Sequence, residues 1–289
     1  MNRGAGYRTV RNLALALASL LIVSPAAAQR AVKGGYIETI ALCNGADRAS
    51  FAVRIDGCTA FIDSGQGTPA ALAVAHNNRG NAYTATGDFD RALVDFDQSI
   101  KLDPGSARAF NNRGAAYLKK GNYDLAVEAL DEAVRLNPNY ARALVNRANV
   151  HLKKHEYQQA SRDYDEAIRI DPGMDAAWSG RCWTRAILRA LQPALEDCSR
   201  VLQSSPNDAA AYDSRGFIRL KMGQAAAAID DFSTALRFDP KLASAFYGRG
   251  LARMTNGDKA GGHSDIAAAK AIHPTIDDDF TRLGLRADN

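Results

Sequence analysis

The sequence lacks the marks of most chemistries. It has no G-x-S-x-G run, no phosphate-binding P-loop and no G-x-G-x-x-G fingerprint. Its five histidines form no H-E-x-x-H, and its four cysteines form no C-x-x-C or C-x-x-H of the kind that holds zinc. Charge of one sign is also missing. Lys+Arg numbers 36 against 32 acids with the signs interspersed, so no basic footprint for nucleic acid exists. Beyond residues 13–23 there is no long apolar run, so no stretch reads as a transmembrane helix. No catalytic set, metal site or cofactor site is expected, and the chain does not read as an enzyme.

Proline is scarce, with nine in 289 residues, yet six are evenly placed. Pro104, Pro138, Pro172, Pro206, Pro240 and Pro274 lie 34 residues apart. A fixed period of this size is the signature of a solenoid of stacked supersecondary units. Counting back from each proline gives six frames: 73–106, 107–140, 141–174, 175–208, 209–242 and 243–276. Each splits into two helix-periodic apolar segments around a Gly-type break, and the proline ends the second.

Small residues recur at position 8 of the frame (Gly80, Gly114, Ala148, Cys182, Gly216, Gly250). Glycine inside a helix costs about 1 kcal/mol relative to alanine, so a close helix crossing is expected there. Large residues at position 24 (Phe96, Leu130, Tyr164, Phe232) are expected to fill the adjoining gap.

The pattern is a large apolar residue at 4, Gly/Ala at 8, Tyr at 11, Ala at 20, Phe/Tyr at 24 and Pro at 32. It resembles the tetratricopeptide repeat in its bacterial form, from Ala73 to Ile276. The resemblance implies an all-α, right-handed superhelix whose first helices line a concave groove. It also implies a protein-binding scaffold. Departures grow along the chain, and position 11 becomes Arg185, Arg219 and Arg253 in the last three repeats.

Residues 1–28 read as a signal peptide. Arg3, Arg8 and Arg11 precede the apolar run 13–23, and small residues end at Ala28, giving Gln29 as the mature start; an uncleaved anchor is the alternative. Without those three arginines, Lys+Arg falls to 33 against 32 acids, a net charge of about +1. The chain is therefore expected to be exported, periplasmic or secreted, with no membrane span after processing. Residues 29–72 read as an N-terminal cap built on a degenerate repeat, and 277–289 as a C-terminal capping helix and tail.

An even cysteine count in an exported chain favours disulfides. Cys43 and Cys58 are 15 apart, and Cys182 and Cys198 are 16 apart at positions 8 and 24 of one repeat. Bridges Cys43–Cys58 and Cys182–Cys198 are expected; small buried thiols are the alternative for the second pair.

Position 7 is Arg in all six repeats and position 23 is Asp in five. Ion pairs Arg79–Asp95, Arg147–Asp163, Arg181–Asp197, Arg215–Asp231 and Arg249–Asp265 are expected, with Ala129 the exception opposite Arg113. An anion-binding ladder is the functional alternative. His151 and His155, at i and i+4, fall on a packing position and a turn position rather than on a metal site.

The resemblance places helix-one positions 2, 5, 6, 9, 12 and 13 on the groove. In the first three repeats these supply Asn77, Asn78, Asn81, Arg108, Asn111, Asn112, Lys119, Arg142, Asn146, Asn149 and Lys153. The column Asn78, Asn112, Asn146 looks like the asparagine ladder of O-GlcNAc transferases and stops at Gly180, Ser214 and Gly248. Amides meet a peptide backbone, and the cations favour acidic segments. The carboxylate clamp of chaperone-binding relatives is only partly matched, by Asn81, Asn112 and Arg142. The expected function is groove binding of a peptide or protein segment in the cell envelope. Rival readings are a self-associating scaffold, including a homo-oligomer, or an accessory subunit of an envelope enzyme complex.

Overall fold

The structure, a computed structural model, describes residues 35–45 and 49–285. The expected signal peptide and Gln29 lie outside the described residues. Fifteen α-helices and no strands are present among the described residues. Helices α1 (Tyr36–Cys43) and α2 (Phe51–Asp63) precede the first frame. Six helix pairs follow: α3 (Pro69–Ala85) with α4 (Phe89–Leu102), α5 (Ala107–Lys120) with α6 (Tyr123–Leu136), and α7 (Ala141–Lys153) with α8 (Tyr157–Ile170). Next come α9 (Asp175–Ile187) with α10 (Leu191–Ser204), α11 (Ala209–Lys221) with α12 (Ala225–Phe238), and α13 (Ala243–Thr255) with α14 (Lys259–Ile272). A short α15 (Ile276–Arg282) is the last helix of the described chain.

Local chemistry sets these boundaries. Helix α3 begins one turn ahead of its 34-residue frame, because Thr68 accepts a hydrogen bond from the Ala71 N–H and Pro69 stands in the first turn. The turn inside each pair needs a left-handed residue. Gly87, Gly121, Gly223 and Gly257 supply it, while His155 (φ 60°) and Arg189 (φ 63°) adopt it without being glycine. Between repeats, the side chain ahead of the proline caps the loop. Asp103, Asn137, Asp171 and Asp239 each accept the N–H two residues on.

Each helix packs on its neighbours in sequence, and first helices also pack on the first helices of adjacent repeats. This extra contact curls the stack with first helices inside. The core is a chain of small clusters shared between neighbours, as in a quasi-one-dimensional solenoid. The crossings are tight at position 8. A Cβ on Gly80 would stand 2.7 Å from Phe96, and one on Gly114 would stand 2.5 Å from Leu130. Cys182 and Cys198 occupy this same crossing in the fourth repeat and form a disulfide with Cα atoms 5.4 Å apart. Cys43 and Cys58 join α1 to α2 in the same way, with Cα atoms 4.4 Å apart.

Candidate interaction groove

The concave face divides into two halves of different chemistry. In the first three repeats it carries an amide relay. Asn146 Nδ2 donates to Asn111 Oδ1 at 2.8 Å, Asn111 Nδ2 to Asn112 Oδ1 at 3.1 Å, and Asn112 Nδ2 to Asn77 Oδ1 at 2.9 Å. Asn78 Nδ2 donates to Asn44 Oδ1 at 3.0 Å. The groove assignment of two residues is corrected by their burial. Asn77 is 2% exposed and Asn111 1%, so they lie beneath the surface and orient the amides above them. Asn77 Nδ2 is itself buried without a partner. Asn78, Asn81, Asn112, Asn146 and Asn149 stay partly exposed, with Asn149 Oδ1 accepting from the Tyr164 hydroxyl at 2.5 Å. Arg108, Lys119, Arg142 and Lys153 are exposed around them.

At two of the three positions where the asparagine column stops, a side chain would meet a ring. A Cβ on Gly180 would stand 2.2 Å from the Tyr164 ring, and one on Gly248 would stand 2.4 Å from Phe232. At these two positions an aromatic ring of the preceding repeat fills the space that a side chain would need; Ser214 follows Cys198 and has no such ring before it.

The arginine series is structural. Arg79, Arg147, Arg181, Arg215 and Arg249 each hold their Asp through two hydrogen bonds of 2.7–2.9 Å. The carboxylates are nearly all buried, Asp95 and Asp197 at 2%. Burial pulls the Asp95 carboxyl upward, but the Arg79 and His76 hydrogen bonds outweigh it and leave it below the usual range. Sequence reasoning missed two sets of partners. Position 25 of the preceding repeat also accepts a guanidinium bond, a third one for Arg147 (at Asp131) and Arg181 (at Asp165) and, among the described residues, the one side-chain bond of Arg113 (at Asp97). The position-11 arginines Arg185, Arg219 and Arg253 join Asp197, Asp231 and Asp265 at 2.8–2.9 Å. The recurrence of Asp at position 25 in repeats one to three was the available signal. His151 bonds Glu156 at 2.6 Å, and no group of three His, Cys, Asp or Glu suited to a metal occurs among the described residues.

In the last three repeats the concave face is aromatic. Trp183 and Phe217, both at position 9, have ring centroids 5.2 Å apart. Here α15 turns inward. Phe280 lies 4.5 Å from Tyr247 and 6.1 Å from Phe217 between centroids, and Lys221 Nζ donates to the Leu283 carbonyl at 2.8 Å.

Tetratricopeptide-repeat profiles match residues 77–141 and 141–174. Residues 77–174 are thus tetratricopeptide repeats. No curated protein matches it. Among solved structures it is similar to a tetratricopeptide repeat protein from Parabacteroides merdae, at 17% identity and TM-score 0.64, covering 86% of this chain and 99% of that one. It is also similar to PilW, described as a widely conserved type IV pilus biogenesis factor, at 18% identity and TM-score 0.64, over 70% of this chain and 94% of that one. A third is YrrB, described as a TPR protein with an unusual peptide-binding site, at 21% identity and TM-score 0.52, over 65% and 95%. At these identities the likeness shows the fold, an all-α TPR solenoid. That fold supports an interaction scaffold, and TPR proteins are in general non-enzymatic interaction modules. No helix among the described residues is long and apolar enough to cross a membrane.

Proposed function

We propose that this TPR protein is an exported scaffold of the cell envelope that binds an extended, acidic peptide or protein segment across the concave face of its first three repeats. The carrying observation is the amide relay. It fixes Asn112 and Asn146 in place while leaving each partly exposed, so a peptide backbone meets amides that are already ordered. Arg108, Lys119, Arg142 and Lys153 flank them and favour acidic side chains. Two disulfides account for all four cysteines, which supports an oxidising compartment, as the apolar leader does. YrrB, with its peptide-binding site, and PilW, with its role in pilus biogenesis, support the reading by analogy of fold.

A photo-crosslinking residue placed at Lys119 tests this in cells, with Glu128 on helix α6 as the control position. We expect specific adducts from position 119 and none from 128. Charge reversal of Arg108, Arg142 and Lys153 to Glu removes those adducts without loss of helicity. Equal adducts from both positions, or adducts indifferent to charge reversal, would rule the reading out. Intact mass of the exported protein should begin at Gln29.

A further inference from the structure

Helix α15 and the residues that follow it to Leu285 do not continue the solenoid. In the repeats, contacts run between neighbours about 34 residues apart. The Phe280–Phe217 ring contact and the Lys221–Leu283 hydrogen bond reach back 63 and 62 residues, across two repeats. The segment is laid along the inner face. Ile276 and Phe280 are 5% and 4% exposed, and Leu283 and Leu285 pack on the same cluster. Ile276, Phe280 and Leu283 form one helical stripe, at i, i+4 and i+7, with the acidic run 277–279 in its first turn. Its end is closed by a Schellman turn, with Gly284 at φ 80°, Gly284 N–H donating to Thr281 O and Leu285 N–H to Phe280 O. Lys221 adds a cation at that C-terminus, where the helix dipole is negative.

A seven-residue helix is well below the roughly 12–15 residues at which an isolated helix becomes even marginal. Its order therefore comes from the groove it lies in. It also leaves part of that groove open, since Trp183 packs at a tilt against Phe217 but stays partly exposed. The aromatic half of the face is thus a seat for a helix, holding one that covers it incompletely.

We propose that repeats four to six form a receptor for a partner protein's short amphipathic helix, and that the chain's own residues 276–285 occupy it in the unbound state. The partner helix carries an aliphatic residue, an aromatic residue four later and a leucine three after that, with acidic residues in its first turn. A helix longer than α15 gains the Trp183 surface as well, which lets it displace the resident segment. This site is separate from the amide-lined half and does not depend on what binds there.

The probe is a labelled peptide of residues 275–285, TIDDDFTRLGL, titrated by fluorescence anisotropy against the full chain and the full-chain double variant Phe280→Ser, Leu283→Ser. The expected result is at least tenfold tighter binding to the variant, lost when the peptide itself carries Phe280→Ala. Circular dichroism of the variant should lose no more than the small contribution of the seven residues of α15. Binding that differs less than threefold between the chains would overturn the proposal. So would loss of helicity beyond that of α15 itself, because α15 would then be a structural closure of the repeats rather than an occupant. Light scattering that shows the wild type as a dimer exchanging this segment would overturn it too, by making a second copy the occupant.

Discussion

Arg113 Nη1 donates to Asp97 on the preceding repeat at 3.0 Å, while its Nε is buried with no partner. The other five position-7 arginines spend Nε and Nη2 on their own position-23 Asp. Here that position is Ala129, fully buried. An unsatisfied buried donor of a cation is a standing cost of roughly 1–3 kcal/mol. Ala129→Asp should restore the two-bond pair and add about 1 kcal/mol of stability once the desolvation of the new carboxylate is offset, read as a higher urea midpoint. Equilibrium unfolding checks it. A lower midpoint would mean that packing has closed over the space the carboxylate needs.

The second disulfide ties α9 to α10 at the closest crossing of the fourth repeat. Replacing it through Cys182→Ala with Cys198→Val should destabilise that repeat by about 3 kcal/mol, the loop-closure value for a separation of this length. Repeats touch only their neighbours, so the loss should be local at first. Hydrogen exchange should show α9 and α10 losing protection before α5 and α6. Uniform loss along the chain would contradict a one-dimensional solenoid.

His155 and Arg189 stand at the turn position that is glycine in the other four repeats, and both have left-handed backbone. That conformation costs a non-glycine residue about 1–2 kcal/mol. Glycine restores the freedom but also loosens the unfolded chain, so the net gain is smaller. His155→Gly and Arg189→Gly should each stabilise by about 0.5 kcal/mol, read as a higher urea midpoint.

Periodicity carried most of this architecture, because a repeat states each packing rule six times. Position 8 showed the close crossing, and positions 7 and 23 showed the ion pairs. The groove was harder to read. Asn77 and Asn78 are adjacent and chemically identical, yet one is buried and the other faces out. A helical register good to one residue is needed to separate them. The inward turn of α15 was hidden for another reason. The spacing of Ile276, Phe280 and Leu283 shows an apolar stripe but not which surface it covers. That depends on aromatic rings in earlier repeats, at Phe217 and Tyr247.

Asp213, at a concave position of α11, carries a pH dependence of stability. Among the described residues no cation pairs with it in the way Arg79 pairs with Asp95. Its Oδ2 accepts a hydrogen bond from the Ser244 hydroxyl at 2.7 Å. Burial pushes its carboxyl up to about 6, from an ordinary value of 3.8, and the Ser244 hydrogen bond offsets only part of this. The sign follows from proton binding. Between the two values the folded chain holds a proton that the unfolded chain has released, so folding is favoured at the acid end. The contribution is full below about pH 4 and is lost as pH rises through 6. Asp213→Asn keeps the shape and removes the titration. The variant should therefore gain little over wild type at about pH 4.5 and become the more stable of the two at about pH 7.5. Thermal unfolding of both chains at the two values measures the difference, which cancels the histidines common to both. A variant equally stable relative to wild type at both pH values would show that Asp213 is as well solvated in the native chain as in the unfolded one.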